Sequence, residues 1–358
     1  MSDTTRKSIA DELMEMLGDK PTAMEIDIPV VDEVTTPIVL PTLTATEWTE
    51  RPDGTRMRMV PFSEKFWAPM YVPDHLVAEF EGYDSAEPLA MYVPPRKDFE
   101  WISFAFATDE KVLYVGPTGC GKTLAFEYYA AVCGRPCLRV DNTQELDKAQ
   151  VFGTVHITDG DTDFVPGDIP QSASQPTIVI LDELSRATGG ANMIYKRMLD
   201  RGEIYMPEMK EAGTKAIVPD AHWRVCATDN TKGDGEDMDK YPMSNVQDAA
   251  FRNAWGILLE ADYLSKSEET ELIKSMAKGM MAAADVNALA TFSKLVHSGF
   301  KKGEINTAFS PRQLGTICKF YCAGIPLKDA IQMAYINFCS KSELADVMET
   351  LRASFGGK

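Results

Sequence analysis

Long apolar runs are missing from this sequence: no stretch approaches the roughly 18 to 20 residues that cross a bilayer. The opening Met-Ser-Asp-Thr-Thr-Arg-Lys is not followed by the apolar core of a secretory signal. The expectation is a cytoplasmic protein with no membrane partner. Cysteine is scarce and odd in number. The seven, spread from Cys120 to Cys339, make no disulfide framework and suit a reducing compartment. Cys133 and Cys137 are interrupted by Gly134 and Pro136, and Cys318 and Cys322 fall in an apolar helical pattern, so both pairs read as buried thiols rather than a zinc site. Histidine is scarcer still. His75, His156, His222 and His297 are dispersed, and none accompanies a Ser or Cys nucleophile pattern. Positive charge is in deficit: 36 Lys and Arg against 54 Asp and Glu leave a net −18. Such a field repels nucleic-acid backbones and anionic lipid, which disfavours a nucleic-acid partner, and it favours basic partners or divalent cations. Internal repeats and low-complexity tracts are also lacking.

What is present is the composition of a folded protein. Over 358 residues, 44% are hydrophobic and 25% charged, enough for two or three domains with sizeable cores. Residues 1–98 stand apart, with 11 of the 21 prolines and 19 acidic against 9 basic residues. Ile9, Leu13, Met16 and Leu17 predict a short amphipathic helix over 8–17. From Pro21 to Pro61 the prolines predict extended or disordered chain. From about Asp98, strands alternate with helical patterns, the signature of a parallel sheet with crossover helices. The strand candidates are Val112 to Val115, Cys137 to Val140, Thr177 to Leu181 and Trp223 to Ala227. After Glu260 only helical periodicity remains, and Met276, Met280 and Met281 follow Leu272 and Ile273 at core-facing spacing. The expected division is an acidic, proline-rich arm over 1–97, an α/β domain over 98–260 and a helical lid over 261–358.

Between an apolar strand, Lys-Val-Leu-Tyr-Val, and a helical stretch lies Gly116-Pro117-Thr118-Gly119-Cys120-Gly121-Lys122-Thr123, followed by Leu124. Glycines let successive backbone N–H groups curl around an oxygen-rich anion at a helix N-terminus, whose dipole favours the same charge. In that arrangement Lys122 would reach the β and γ phosphates of ATP, and the Thr123 hydroxyl would ligate Mg²⁺. Further on, Thr-Ile-Val-Ile-Leu-Asp-Glu-Leu puts Asp182 and Glu183 at the end of a buried strand. Carboxylates there are costly unless a cation or water chemistry uses them, so Asp182 would help to hold Mg²⁺ and Glu183 would polarise the attacking water. A third strand, Trp-Arg-Val-Cys-Ala-Thr-Asp-Asn, ends in Asn230, an amide able to orient that water. Two arginines follow. Arg252 lies in Asp-Ala-Ala-Phe-Arg-Asn-Ala-Trp, and Arg312 in Phe-Ser-Pro-Arg-Gln-Leu-Gly, where Ser310 is a good N-cap and Pro311 suits the first helical position. Dipole grounds disfavour an arginine in that first turn, and a bound polyanion would explain it.

In this order the stations resemble Walker A, Walker B, sensor 1, arginine finger and sensor 2 of an AAA+ ATPase, over residues 98 to 345 or so. Within AAA+ the chain is most like the MoxR group, in particular the CobS-like (cobaltochelatase ATPase subunit) and NorQ-type proteins. That likeness rests on Val-Asp-Asn-Thr-Gln-Glu-Leu-Asp-Lys-Ala-Gln-Val-Phe-Gly and on two hairpin signals, near 154–166 and 203–218. The resemblance implies a P-loop AAA+ core with a parallel sheet and flanking helices, followed by an all-α lid. It implies a homo-oligomeric ring, commonly a hexamer, with ATP between subunits and Arg252 acting on a neighbour's nucleotide. Arg186, in Asp-Glu-Leu-Ser-Arg-Ala, resembles an arginine that follows Walker B in many MoxR proteins. The implied function is remodelling of a protein partner, such as a von Willebrand A-type protein, with metal insertion by a chelatase-type complex as one version. A DNA-handling motor and a nucleotide-gated structural ring are the alternatives.

Overall fold

The computed structural model describes residues 49–50, 55–61, 67–73, 97–146, 148–158, 161–206, 216–235 and 241–356. The helix expected over 8–17 and the Asp159-Gly160 turn lie outside them. The first described elements, β1 (Thr49–Glu50), β2 (Thr55–Pro61) and β3 (Trp67–Pro73), form an antiparallel sheet in which Thr55 faces Pro73 and Pro61 faces Trp67. Part of the stretch expected to be merely extended is therefore hydrogen-bonded. The prolines stay compatible because Pro69 and Pro73 lie on the edge strand β3 and Pro61 is the last residue of β2, where a missing donor costs little.

Helix α1 (Lys97–Ala107) leads into β4 (Val112–Val115), whose four residues are all buried. The other strands of the same sheet are β5 (Cys137–Asp141), β8 (Ile178–Asp182), β11 (Arg224–Asp229) and β12 (Ile257–Glu260). Their order is β12-β4-β11-β8-β5, and every pairing is parallel. Successive side chains point to opposite faces, so a continuous apolar run supplies two cores at once. Tyr114, Ile178, Ile180 and Cys226 pack with Ile102 and Phe106 of α1 and with Phe126 and Tyr129 of α2 (Lys122–Val132). Leu113, Val179, Leu181, Val225 and Ala227 pack on the other face with Tyr195, Met198 and Leu199 of the helix Gly189–Arg201. Each fully buried large side chain contributes roughly 1.5–3 kcal/mol relative to exposure.

The strand Ile257–Glu260 is absent from the sequence expectation. It is short and lies at the sheet edge with Leu258 45% exposed, so its Ile-Leu-Leu-Glu pattern carries neither the continuous burial nor the β-branched content of β4, β8 and β11. Two hairpins stand apart from the main sheet: β6 (Gly153–Thr158) with β7 (Asp161–Pro166), and β9 (Ile204–Tyr205) with β10 (Ala216–Ile217).

After Glu260 the described chain is helical: Lys266–Met276, Ala283–Lys302, Pro311–Cys322, Leu327–Ala334 and Leu344–Ser354. They enclose a separate core in which Phe292, Phe309 and Tyr335 meet edge to face, with centroids 5.1 to 5.8 Å apart. Met281 joins this core, but Met280 is 60% exposed, against the expectation from spacing. The helix ends at Met276, and Lys278 and Gly279 take positive φ, which breaks the helical phase before Met280.

Candidate functional site

The loop between β4 and α2 is shaped by its glycines. Gly121 adopts φ +89°, which residues with a Cβ rarely take, and a Cβ on Gly116 would stand 2.5 Å from the Ala261 carbonyl oxygen of the neighbouring edge strand's end. Lys122, the first residue of α2, is buried and donates from Nζ to the carbonyls of Gly116 (2.8 Å) and Pro117 (3.0 Å) and to Oδ1 of Asn230 (3.0 Å). Burial pulls its ammonium below the usual lysine range, opposed by Cys120, Asp229, Asp182 and Glu183.

Asp182 closes β8 between two neighbouring strands. Its Oδ1 accepts from the Thr123 hydroxyl at 2.7 Å and from the Thr228 hydroxyl, and its Oδ2 pairs with Arg139 at 2.7 Å. Glu183 follows in the left-handed region (φ 52°, ψ 52°), which turns its carboxylate off the sheet edge, where Arg186 Nε pairs with it at 2.7 Å. Asp229 accepts from the Ser185 hydroxyl (2.6 Å) and N–H (2.9 Å) and from the Asn230 N–H (2.7 Å). Burial nevertheless pushes its carboxyl up to about 6.

Opposite the loop, Ser310 is the expected N-cap of the helix Pro311–Cys322, Gln313 returns the contact to the Ser310 N–H, and Arg312 sits in its first turn. Loop, strand ends and helix N-terminus enclose one cavity of about 490 Å³. Thr118, Gly119, Gly121, Lys122, Thr123, Leu124, Asp182, Glu183, Asn230 and Arg312, all singled out in the sequence, line it. Gly116 and Pro117 face it only through Lys122. Cys120 instead lines a smaller cavity of about 30 Å³ with Tyr263 and His297. There Tyr263 donates to the Thr118 carbonyl (2.9 Å) and stacks on His297 at 3.7 Å, tying the loop to the helical region. Burial pulls the His297 imidazole down to about 4, so its neutral ring donates from Nε2 to the Phe309 carbonyl at 2.9 Å.

Arg252 does not line the cavity. It ends the short helix Ala249–Arg252, where Asp248 caps the N–H groups of Ala250 and Phe251. Four residues not singled out do line it: Glu127, Arg139, Thr228 and Asp229. Thr228 and Asp229 were within reach of the sequence, since they precede Asn230 on the same strand. Arg139 and Glu127 carry no local signal, because only the strand order brings β5 and α2 to Asp182.

A glycine-rich strand-to-helix loop facing two acids at the end of a parallel strand defines a P-loop nucleotide-binding protein. Residues 111–241 match the AAA domain of the dynein-related subfamily. The chain is 24% identical over 273 residues to the aerobic cobaltochelatase subunit CobS of Sinorhizobium sp, spanning 74% of this chain and 81% of that protein. Protein NorQ of Paracoccus denitrificans is 30% identical over 109 residues, spanning 30% of this chain and 40% of its own. Midasin of Dictyostelium discoideum is 30% identical over 165 residues, or 45% of this chain and 3% of its own. Among solved structures, the T158V form of Thermotoga maritima RuvB aligns with a TM-score of 0.44 and 16% identity, covering 76% of this chain and 75% of that one. Residues 111–241 thus form an AAA-type ATPase domain, and the chain is similar to ATPases of MoxR type.

Proposed function

We propose that this chain is a Mg²⁺-dependent ATPase whose site is completed by a second copy in a ring, hexameric by the family likeness, and whose turnover remodels a protein partner. The observation that carries the reading is the convergence of Lys122, Thr123, Asp182, Glu183, Asn230 and Arg312 on one cavity while Arg252 lies outside it. Lys122 and the loop N–H groups hold the phosphates, Glu183 and Asn230 position water, and Arg312 reaches the γ-phosphate from the helical region. Thr123 Oγ1 and Asp182 Oδ1, 2.7 Å apart, are hard oxygen donors of the kind magnesium takes, so these residues fit the ion. Once bound, it supplies positive charge to the phosphate oxygens. Likeness to a cobaltochelatase subunit supports metal insertion as the narrower version, and a von Willebrand A-type protein is the partner that the sequence resemblance implies.

Lys122→Ala is expected to weaken ATP binding roughly a hundredfold in calorimetric titration, the loss of a buried charge-assisted contact to phosphate. Near-normal affinity would remove Lys122 from the phosphate site. The shared-site reading is tested by following hydrolysis per subunit against protein concentration while light scattering reports mass. The rate is expected to rise as the chain assembles. A concentration-independent rate would place the whole site in one copy, and assembly without turnover would favour a nucleotide-gated structural ring.

A further inference from the structure

Among the described residues Asp182 has three side-chain partners, and only one of them brings charge. Thr123 and Thr228 offer neutral hydroxyls to Oδ1, whereas the Arg139 guanidinium sits on Oδ2 at 2.7 Å. The carboxylate is 5% exposed, so this pair is screened far less than a surface ion pair. Arg139 also has a second seat. Its Nε and Nη2 both donate to Oδ1 of Asp141, each at 2.8 Å, and Asp141 is 70% exposed. Residues 139 and 141 project from the same face of β5, and Asp141 is the register partner of Asp182 on β8, so one guanidinium spans both carboxylates across the strand ends. Glu127, on the α2 wall of the same cavity, is a third acid in its field.

A dication at Thr123 and Asp182 would meet this guanidinium at like charge. The contact to Asp182 can open while the Nε contact to Asp141 holds, because the two are made by different nitrogens. We propose that Arg139 is a positioning residue that competes with Mg²⁺ for Asp182 and withdraws onto Asp141 as the ion binds, thereby setting the free Mg²⁺ at which the site loads. The inference rests on the Mg-ATP reading of the cavity.

The test is binding of a fluorescent ATP analogue to the full chain across a series of buffered free Mg²⁺ concentrations, with circular dichroism to show that each variant is folded. Arg139→Gln should lower the half-saturating Mg²⁺ about tenfold, the size expected for a half-buried charge pair. Asp141→Asn removes the second seat and should raise it severalfold, while Arg139→Lys should stay near wild type. A merely structural role would weaken binding in both charge-removing variants alike, without moving the Mg²⁺ midpoints in opposite directions. An unchanged or raised midpoint in Arg139→Gln overturns the proposal, and so does a lowered one in Asp141→Asn, which decides alone if Arg139→Gln does not fold. Wild-type binding that ignores Mg²⁺ overturns it while leaving nucleotide binding intact. No wild-type binding at all would remove the ATPase reading with it.

Discussion

Arg252→Ala is expected to keep ATP affinity within a few-fold of wild type and to lower turnover by about 10³ to 10⁵, the range of an arginine that stabilises the transferring phosphoryl group. The expectation follows from where the side chain is held. Asp248 caps its helix, and Phe251, fully buried and edge to face with Trp255 at 6.2 Å, anchors it in the core beneath the sheet. Arg252 is thereby fixed outside the cavity of its own chain, with Nε buried and lacking a hydrogen-bond partner among the described residues. A cation kept that way contributes little to the chain's own nucleotide affinity, which is why its proposed role is on a neighbour's nucleotide. Steady-state hydrolysis beside equilibrium binding separates the two effects. Mixing Arg252→Ala chains with Glu183→Gln chains adds a sharper test, since some interfaces then combine an intact Glu183 with an intact Arg252 and should recover turnover. Normal hydrolysis by Arg252→Ala alone, or no recovery on mixing, would retire the role in trans.

Glu183→Gln is the second large effect. The change keeps shape and hydrogen-bonding reach but removes the negative charge proposed to polarise water, so turnover should fall about 10² to 10⁴ while ATP still binds. Glu183 is presented by a left-handed backbone turn directly after the buried strand, which frees it from the sheet that locks Asp182. Its contact with Arg186 joins groups that are 37% and 51% exposed, so losing the pair should change stability by no more than about 1 kcal/mol. Thermal melts would then match wild type, and the defect would be confined to the rate. Wild-type turnover in Glu183→Gln would transfer water activation to another group at the strand ends.

The phosphate loop was legible because its chemistry is local. Gly116 to Thr123 must follow a strand and open a helix, and the hydrophobic run before it and the helical pattern after it are visible in one stretch of chain. The Ser310 and Pro311 signal likewise announced a capped helix before any packing was known. Arg139 shows where such reading stops. In the sequence it is one basic residue in a half-exposed strand, and its partner is set by β5 lying against β8 with Asp141 level with Asp182. The edge strand Ile257–Glu260 was missed for a related reason: its pairing with β4, rather than its own composition, makes it a strand.

The sequence by itself determined the fold class of this protein, the order of the motifs proposed to contact nucleotide and the change from strands to helices after Glu260, since each depends on residue type, period and short spacing. Only the tertiary structure decided which charges share the cavity, that Cys120 and Arg252 do not line it, and that Asp182 carries its own guanidinium. Those facts depend on strand order and on the meeting of the loop with a distant helix N-terminus. Contacts between segments far apart in the chain leave no periodicity for a single sequence to show.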